Sequence, residues 1–142
     1  MLVRCLYASR ATVPLVPAVL DSILDQCMRN NSRLGITGLL CHEESTFVQV
    51  LEGGRDEVCH LLNTIMRDER HRDVRLLMFD EIAERRFGNW TMGQVNVGKV
   101  NPALLLKYSE RAELDPFKRP GAATMALLEE LAASGVIATR IG

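Results

Sequence analysis

The order of strand and helix patterns limits most strongly what this chain can fold into. Segments in which apolar residues alternate or run together are typical of strands, and apolar residues three and four positions apart are typical of helices. Along this chain the order is strand, helix, two strands, helix, two strands. The predicted strands are Leu2–Tyr7, Ile36–Cys41, Thr46–Leu51, Val74–Phe79 and Trp90–Val97, and the predicted helices run from Pro17 to about Asn30 and from Val58 to about Arg67.

This order predicts an α+β fold built on one sheet. Strand, helix, two strands, helix and strand is the order of a ferredoxin-like βαββαβ unit, and the segment from Trp90 adds a fifth strand to a mixed sheet. Both helices must then cover the same face of the sheet. Alternation along the fifth strand predicts that the side chains of Trp90 and Met92 point to the same face.

The residues after position 97 are predicted to form a helical extension. Asn101–Pro102 is a suitable cap and first-turn pair for a short helix to about Arg111, and Asp115–Pro116 is predicted to open a further helix that ends at Gly135. Its apolar stripe consists of Met125, Leu128 and Leu131. Because the first two helices occupy one face of the sheet, we expect the extension to cover the other. The chain thus divides into a domain of residues 1–97 and an extension of residues 98–142.

The composition excludes several classes of protein. At 142 residues, with 47% hydrophobic and 25% charged content, the chain suffices for one compact domain and a short appendage. A formal net charge of -1 leaves no basic excess for a phosphate backbone, so we expect no nucleic-acid partner. The apolar stretches are far shorter than the roughly 20 residues that span a bilayer, and Met1–Arg4 leads into a strand pattern without a signal-peptide layout. We expect a cytoplasmic protein with no membrane partner.

The cysteines predict neither a disulfide framework nor a metal site. Cys5, Cys27, Cys41 and Cys59 form no C-x-x-C pair, and each lies in a segment with an apolar pattern. A free cysteine in such a segment behaves as a small hydrophobic residue. We therefore expect reduced thiols in the core and no bound metal.

Gln49 is the residue that points most directly to a ligand. It lies in the apolar run Thr46–Leu51, where a strand would ordinarily carry no side chain that needs hydrogen bonds. An unpaired buried amide costs about 1–3 kcal/mol, so partners must meet both its oxygen and its NH2 group. A ligand with adjacent donors and acceptors would do so. Because rotation exchanges the accepting and donating ends of an amide, Gln49 is also a candidate two-state element.

Five sequence motifs together resemble those of a known family. In order along the chain they are Leu6–Ala11, Asn30–Gly38, Phe47–Gly53, Asp68–His71 and Phe87–Gly93. These runs resemble the BLUF family of blue-light sensors that use a flavin, in the order and spacing of that family across about residues 1–97. The C-terminal third carries no motif of its own and resembles the helical extension of short, free-standing BLUF proteins.

The resemblance implies a flavin, usually FAD with FMN as the alternative, held between the two helices. Its dimethylbenzene end would enter first, and its polar pyrimidine end would lie near the helix termini. The residue corresponding to Tyr7 donates an electron and a proton to the photoexcited flavin in this family, and Gln49 would bridge the phenol and the N5/C4=O edge. The phenol of Tyr7 is suited to this role because it is oxidisable and its hydroxyl both donates and accepts hydrogen bonds.

The resemblance also assigns residues that would bind the flavin. Asn31 would hold the C4=O/N3 edge, whereas its neighbour Asn30 is interpreted as a plain helix cap. Arg70 would face C2=O, where a fixed cation stabilises electron density on the ring, and Asp68 and His71 would lie beside it near the ribityl chain. The apolar walls would be Ile23, Cys27, Phe47 and Ile65.

Light would then change hydrogen bonds and leave covalent bonds intact. Gln49 would rotate or change tautomer, and the flavin absorption would shift to the red until thermal recovery. The fifth strand would carry the signal because Trp90 and Met92 can exchange places at the pocket edge. Which of the two faces the flavin stays open at this stage.

Two other functions remain as alternatives. One is a light-insensitive module on the same fold that binds flavin or another ligand, and the other is a small acylphosphatase-like hydrolase. The hydrolase would need a glycine-rich phosphate-binding loop before the first helix, which this sequence does not supply. We expect a protein that is not an enzyme and that signals to an unidentified downstream protein or through a homodimer, with Val136–Ile137 as a contact if exposed.

Overall fold

The computed structural model describes residues 1–135 and 137–139 and contains one mixed sheet with helices on both faces. Its six strands are ordered β4-β1-β3-β2-β5-β6. The strands are β1 (Leu2–Ala11), β2 (Thr37–Glu43), β3 (Thr46–Gly54), β4 (His71–Ile82), β5 (Gly93–Asn96) and β6 (Ala138–Thr139). The helices are α1 (Pro17–Leu34), α2 (Arg55–Arg67), α3 (Pro102–Leu106) and α4 (Gly121–Ala133), and one 3₁₀ turn spans Val97–Lys99.

The sheet topology confirms the predicted ferredoxin-like unit. Strands β4, β1, β3 and β2 are neighbours and pair antiparallel, and β5 joins β2 in parallel as the added strand. The short strand β6, which the sequence patterns did not predict, pairs antiparallel with β5.

Alternation along the strands produces two core layers. In β1, Val3, Cys5 and Tyr7 belong to the layer that contains the buried residues of α1 and α2. Leu6 and Ala8 belong to the opposite layer, with Leu128 and Leu131 of α4. Successive side chains of a strand point to opposite faces, so α1 and α2 cover one face and the extension covers the other, as predicted.

Helix α1 continues further than predicted. Asn30 and Asn31 do not end it, and the helix runs to Leu34. The residue that ends it is Gly35, which has φ 69° and donates its backbone N–H to the carbonyl of Asn31. The left-handed backbone conformation at this position costs glycine little, because glycine lacks a Cβ. Asn31 therefore lies within the last turn of the helix, with a fixed side-chain direction.

The helices of the extension are shorter than predicted. Helix α3 ends at Leu106, and Asp115–Pro116 does not open a helix. Asp115 instead lies 3.9 Å from the guanidinium of Arg119 in the connection. Helix α4 begins only at Gly121, where a Cβ would come within 3.0 Å of the Leu77 carbonyl oxygen. Glycine at this position lets α4 approach β4 closely, and a local sequence pattern does not contain this contact.

The cysteine prediction is correct for part of the set. All four cysteines are free, and Cys5 and Cys41 are buried. Cys27 is half-buried, and Cys59 lies exposed on the outer side of α2, so the prediction of a core thiol is wrong there. The apolar stripe of α2 is narrow, and Cys59 follows Val58 directly, which turns its side chain away from the sheet.

Two further expectations concern the surface. Val136 lies outside the described residues, and Ile137 packs partly buried against the layer under α4, so it is not an exposed dimer contact. Within residues 1–135 and 137–139, none of the helices combines the length and the apolar character needed to cross a membrane.

Candidate functional site

A cleft opens between α1 and α2 above the sheet, with an empty volume of about 470 Å³ including its opening to solvent. It brings together most of the predicted site residues. Those that line it are Tyr7, Ile23, Cys27, Gln49, Ile65, Asp68, Arg70 and His71. Residues that the sequence analysis did not assign also line it, namely Gln26, Asn30, Leu40, Leu61 and Thr64.

Tyr7 and Gln49 form the polar floor of this cleft. They lie directly opposite one another on β1 and β3, and each is 1% exposed. The Tyr7 hydroxyl donates a hydrogen bond to Oε1 of Gln49. Nε2 of Gln49 donates to Sδ of Met92 at 3.3 Å. Both ends of the amide are thus occupied, and the acceptor at the NH2 end is a thioether, which accepts only weakly.

The environment keeps this floor neutral. Burial raises the pKa of Tyr7 well above its usual value, so the phenol holds its proton and acts as a donor. Burial also raises the pKa of the Cys27 thiol to about 11, against a smaller opposing effect of its hydrogen bond with Gln49. Gln49 therefore contacts a phenol, a thiol and a thioether, none of which is charged near neutral pH.

Asn31 carries a buried polar atom without a partner. Its side chain is 0% exposed, and its Nδ2 donates to the Thr91 carbonyl oxygen at 2.8 Å. Oδ1 of Asn31 accepts no hydrogen bond within the described part of the chain. A buried acceptor left unpaired costs about 1–3 kcal/mol. Asn31 does not itself line the cleft, but its neighbour Asn30 does. A ring N–H donor of a flavin would match the free acceptor.

Arg70 lies at the mouth of the cleft and is paired with Asp68. Its Nε lies 3.0 Å from both carboxylate oxygens, and its Nη2 lies 2.6 Å from Oδ2. Partial burial alone would raise the pKa of Asp68, but hydrogen bonds from Arg70 outweigh it and lower that pKa. Nη2 also donates to Oε1 of Gln26 on the facing helix. A fixed cation therefore lies at the solvent end of an apolar cleft.

His71 lies beside this cation and is held by two contacts. Its Nδ1 is 2.8 Å from the Ser9 hydroxyl oxygen, and its ring lies 5.1 Å from the ring of Phe47. Phe47 is fully buried and does not line the cleft. It contacts the ring of His71, so it supports a residue of the cleft and is not itself part of the predicted wall. Burial lowers the pKa of His71 below 6.5, which favours the neutral ring.

The lowered pKa of His71 predicts acid sensitivity. The folded-state pKa lies below the unfolded value, so the unfolded chain binds more protons and stability falls as the pH drops from about 6.5. The slope from one histidine is at most about 1.4 kcal/mol per pH unit. We expect His71→Gln to flatten the decline in unfolding free energy, measured by urea titration from pH 7.5 to 5. Burial also lowers the pKa of His42, so part of the slope should remain. An unchanged slope would contradict this prediction.

Trp90 and Met92 lie on opposite sides of the sheet, so the prediction that they share a face is wrong. Met92 is buried in the layer under α1 and α2, where it contacts Gln49. Trp90 packs against the layer under α4. Regular pairing of β5 begins only at Gly93, and the Trp90 carbonyl accepts from Gly38 N–H at 3.0 Å. The alternation rule for strands therefore does not apply to residues 90–92.

The residues that were missed follow from helix geometry. Ile23, Gln26, Cys27 and Asn30 are spaced three or four apart and so form one stripe of α1. Of its polar members, Gln26 was not predicted as a site residue, and Asn30 was interpreted as a helix cap. Leu61 and Thr64 line the cleft for the same reason, because they lie one helical turn before Ile65 and Asp68, which also line it.

A buried ion pair anchors the segment that leads to Trp90. Glu52 is 0% exposed and lies 2.7 Å from Nη2 of Arg4. Its carboxylate also accepts the backbone N–H groups of Arg86 and Phe87. The neighbouring Arg85 donates to the carbonyl oxygens of Glu52 at 3.2 Å and of Gly35 at 2.8 Å. These bonds fix the β4–β5 connection against β3 and the end of α1.

Comparison with known proteins identifies the family. Residues 2–93 match the family model described as "BLUF: Sensors of blue-light using FAD". The chain belongs to the BLUF family. Photoactivated adenylate cyclase subunit beta of Euglena gracilis is 38% identical over 87 residues, which cover 61% of this BLUF chain and 10% of that protein. The blue light- and temperature-regulated antirepressor BluF of Escherichia coli K12 is 30% identical over 88 residues, 62% of this chain and 22% of that protein.

Solved structures extend the similarity beyond the matched region. BlrB in its dark state superposes with a TM-score of 0.79 at 32% identity and covers 94% of this chain and 96% of its own. BlsA in its photo-activated state gives 0.85 at 27% identity, covering 99% and 100%. Klebsiella pneumoniae BlrP1 with FMN and cyclic diGMP gives 0.69 at 32% identity, covering 95% of this chain and 35% of its own. The BLUF chain spans only a tenth of the cyclase subunits.

Membership in this family supports the prediction that the chain is a flavin-dependent blue-light sensor. BLUF domains are flavin-dependent blue-light sensors, and a sensor is consistent with the expectation that the chain is not an enzyme. The five motifs on which the resemblance depended lie within residues 2–93 of the match.

Proposed function

We propose that this chain is a blue-light photoreceptor that binds FAD non-covalently in the cleft between α1 and α2. FAD is favoured by the description of the family, and FMN is the alternative because BlrP1 was solved with it. The observation that carries the proposal is the buried chain of hydrogen bonds that links Tyr7 to Gln49 and Gln49 to Met92. It lies on the floor of an apolar cleft whose rim bears a fixed cation.

The binding roles follow from chemistry at each position. Ile23, Cys27 and Ile65 supply the apolar walls that a flat ring system requires. The orphan Oδ1 of Asn31 would accept from the ring N3–H. Arg70, held by Asp68, would donate to C2=O at the mouth, with His71 beside the ribityl chain. Phe47 acts one layer further out by supporting the ring of His71.

The photochemical step belongs to Tyr7. Bound flavin supplies the light absorption and the electron vacancy. The Tyr7 phenol can give up an electron, and its proton already lies on a hydrogen bond to Oε1 of Gln49. A phenol that loses an electron becomes strongly acidic, so its proton would move along that bond to Oε1, and the amide would give up a proton from Nε2 in exchange. The bound flavin would take up both the electron and that second proton, which would leave Gln49 as its imidic acid tautomer. The high pKa of Tyr7 ensures that the phenol starts the reaction protonated.

Gln49 would change its hydrogen bonds in response to the transfer from Tyr7. Rotation or tautomerisation of its amide exchanges the donor and acceptor ends. Rotation would break the bond from Nε2 to Met92, because Oε1 would then face a thioether that has no hydrogen to donate. A thioether is a weak acceptor, so breaking the hydrogen bond between Nε2 and Met92 adds little to the barrier to this exchange. The dark state and the lit state therefore differ in the partner of Met92.

Residues 90–92 would carry the signal through the sheet. Met92 contacts Gln49 on one face, and Trp90, two residues earlier, lies in a groove with Glu129, Ala132 and Ala133 of α4 on the other. Release of Met92 can thus shift Trp90 against the extension. From there the signal would pass to a separate downstream protein or to a second copy of the chain in a homodimer.

Absorption spectroscopy with a matched pair of tyrosine variants tests the photochemical role of Tyr7. We expect purified protein to be yellow, and brief blue light to shift its flavin band to the red with recovery in the dark. Tyr7→Phe should retain flavin but lose at least about 90% of the shift, because no oxidisable phenol remains in the cleft. Tyr108, the other tyrosine, lies in the extension, and Tyr108→Phe should behave as wild type. A normal photocycle in Tyr7→Phe would remove the proposed donor, and bound flavin without any photocycle in the wild type would indicate a light-insensitive module.

A further inference from the structure

Gln26 and Arg70 meet across the mouth of the cleft. Gln26 lies on α1, on the same stripe as Ile23 and Asn30, and Arg70 lies in the turn between α2 and β4. The Oε1 atom of Gln26 accepts a hydrogen bond from Nη2 of Arg70. At this bond, polar side chains from the two sides of the cleft meet.

The bonds of Arg70 leave one nitrogen available. Nε and Nη2 are engaged by the Asp68 carboxylate, and Nη2 is shared with Gln26. Nη1 donates to no other group within residues 1–135 and 137–139. A guanidinium is a rigid planar fork, so contacts that fix one edge also fix the direction of the opposite edge. Asp68 alone is two residues away in the same turn and can move with Arg70.

We infer that Gln26 is a positioning residue for Arg70, holding the guanidinium over the cleft so that Nη1 is presented to a carbonyl oxygen of the bound flavin. This inference rests on the proposed function. The contact from α1 is what ties the cation to the opposite wall of the cleft. Without Gln26, Arg70 keeps its ion pair with Asp68 but is free to follow that carboxylate toward solvent, and less positive charge reaches the ring.

A double-mutant cycle with two flavin readouts tests this role. Gln26→Ala is made in the wild type and in Arg70→Ala, with Ser22→Ala on the exposed side of α1 as control. We expect Gln26→Ala to weaken FAD binding about 5- to 10-fold and to lower the flavin midpoint potential. Both effects should vanish in Arg70→Ala, because Gln26 acts through Arg70. Ser22→Ala should match the wild type in both readouts.

Two results would overturn the inference. Equal losses from Gln26→Ala in both backgrounds would show that Gln26 acts without Arg70, and unchanged affinity and potential would show that the contact positions nothing. The same cycle on flavin-free protein, followed by urea unfolding, separates this inference from the proposed function. There we expect coupling between Gln26 and Arg70 of about 2- to 5-fold in the unfolding constant. Failure of the wild type to bind flavin would contradict the proposed function, whereas absent coupling would contradict the Gln26–Arg70 contact itself.

Discussion

Gln49→Leu is expected to bind flavin and to lose the light-induced red shift completely. Leucine fills nearly the same volume as glutamine, so the apolar walls that hold the ring stay in place. It has neither an acceptor for the Tyr7 hydroxyl nor a donor for Met92, so both of these hydrogen bonds of Gln49 are lost. No group then remains between the phenol and the ring edge whose hydrogen bonds can be exchanged. The measurement is the difference spectrum before and after blue illumination.

The control for this experiment must separate loss of the switch from loss of the fold. Gln94 lies on β5 and pairs with His42 at 3.0 Å, away from the cleft. Gln94→Leu removes an equivalent amide and should keep the red shift within the error of the wild type. A retained shift in Gln49→Leu would exclude Gln49 from the mechanism. Loss of bound flavin in Gln49→Leu would instead show that the amide is needed to hold the ring.

Met92→Leu refines the same prediction. It removes the thioether acceptor of the Gln49 NH2 group and leaves the Tyr7 bond intact. We expect the shift to persist and the rate of dark recovery to change several-fold, because the return of Gln49 to its original orientation is no longer guided by a thioether. An unchanged recovery rate would place signal transmission outside the Gln49–Met92 contact.

The fold was largely predictable from the sequence because its information is local. Apolar periodicity predicts β1 to β5 together with α1 and α2, and the order of these elements is that of a ferredoxin-like unit with an added strand. The end of α1 was not predictable in the same way. Asparagine is common at helix ends, which is why Asn30 and Asn31 were expected to end the helix. The helix instead ends four residues after Asn31, at Gly35, because glycine adopts the left-handed conformation at little cost.

The faces of Trp90 and Met92 could not be predicted because they depend on distant residues. Strand β5 begins at Gly93, which is packed so tightly that an added Cβ would come within 2.9 Å of Leu39 and 2.8 Å of Ile137. Those neighbours lie more than forty residues away along the chain in each direction. An alternation rule applied to residues 90–97 has no access to this constraint and so assigned one face to both side chains.

Glu52 could have been predicted as a buried polar residue on the same grounds as Gln49. Both are polar side chains of β3, with 0% and 1% exposure, and they point to opposite faces of the sheet. Apolar residues flank Gln49 on both sides, whereas Glu52 lies just beyond the predicted strand Thr46–Leu51 and is followed by Gly53–Gly54. Its partners lie 48 residues before it, at Arg4, and 34 residues after it, at the Arg86 backbone.

Glu52→Gln is expected to cause a large loss of stability. Glutamine has the shape of glutamate but no charge, and its NH2 group faces donors where the carboxylate accepted. Arg4 would be left as an unpaired cation at 8% exposure. Breaking a buried ion pair on one side costs about 3–5 kcal/mol, a large part of the 5–15 kcal/mol typical of a domain. Urea unfolding of the flavin-free protein measures the loss.

Glu81→Gln provides the matched control, since it removes a carboxylate from an exposed ion pair. Arg55 and Glu81 are 45% and 62% exposed, and such pairs contribute about 0–1 kcal/mol. The double variant Arg4→Met with Glu52→Leu isolates the remaining role of Glu52. It removes both charges, so any deficit that persists reflects the backbone N–H groups of Arg86 and Phe87 left without their acceptor. Because these N–H groups fix the connection that leads to Trp90, the double variant should also change the rate of dark recovery, even where its stability is restored. If Glu52→Gln lost no more stability than Glu81→Gln, the buried pair would not anchor this connection.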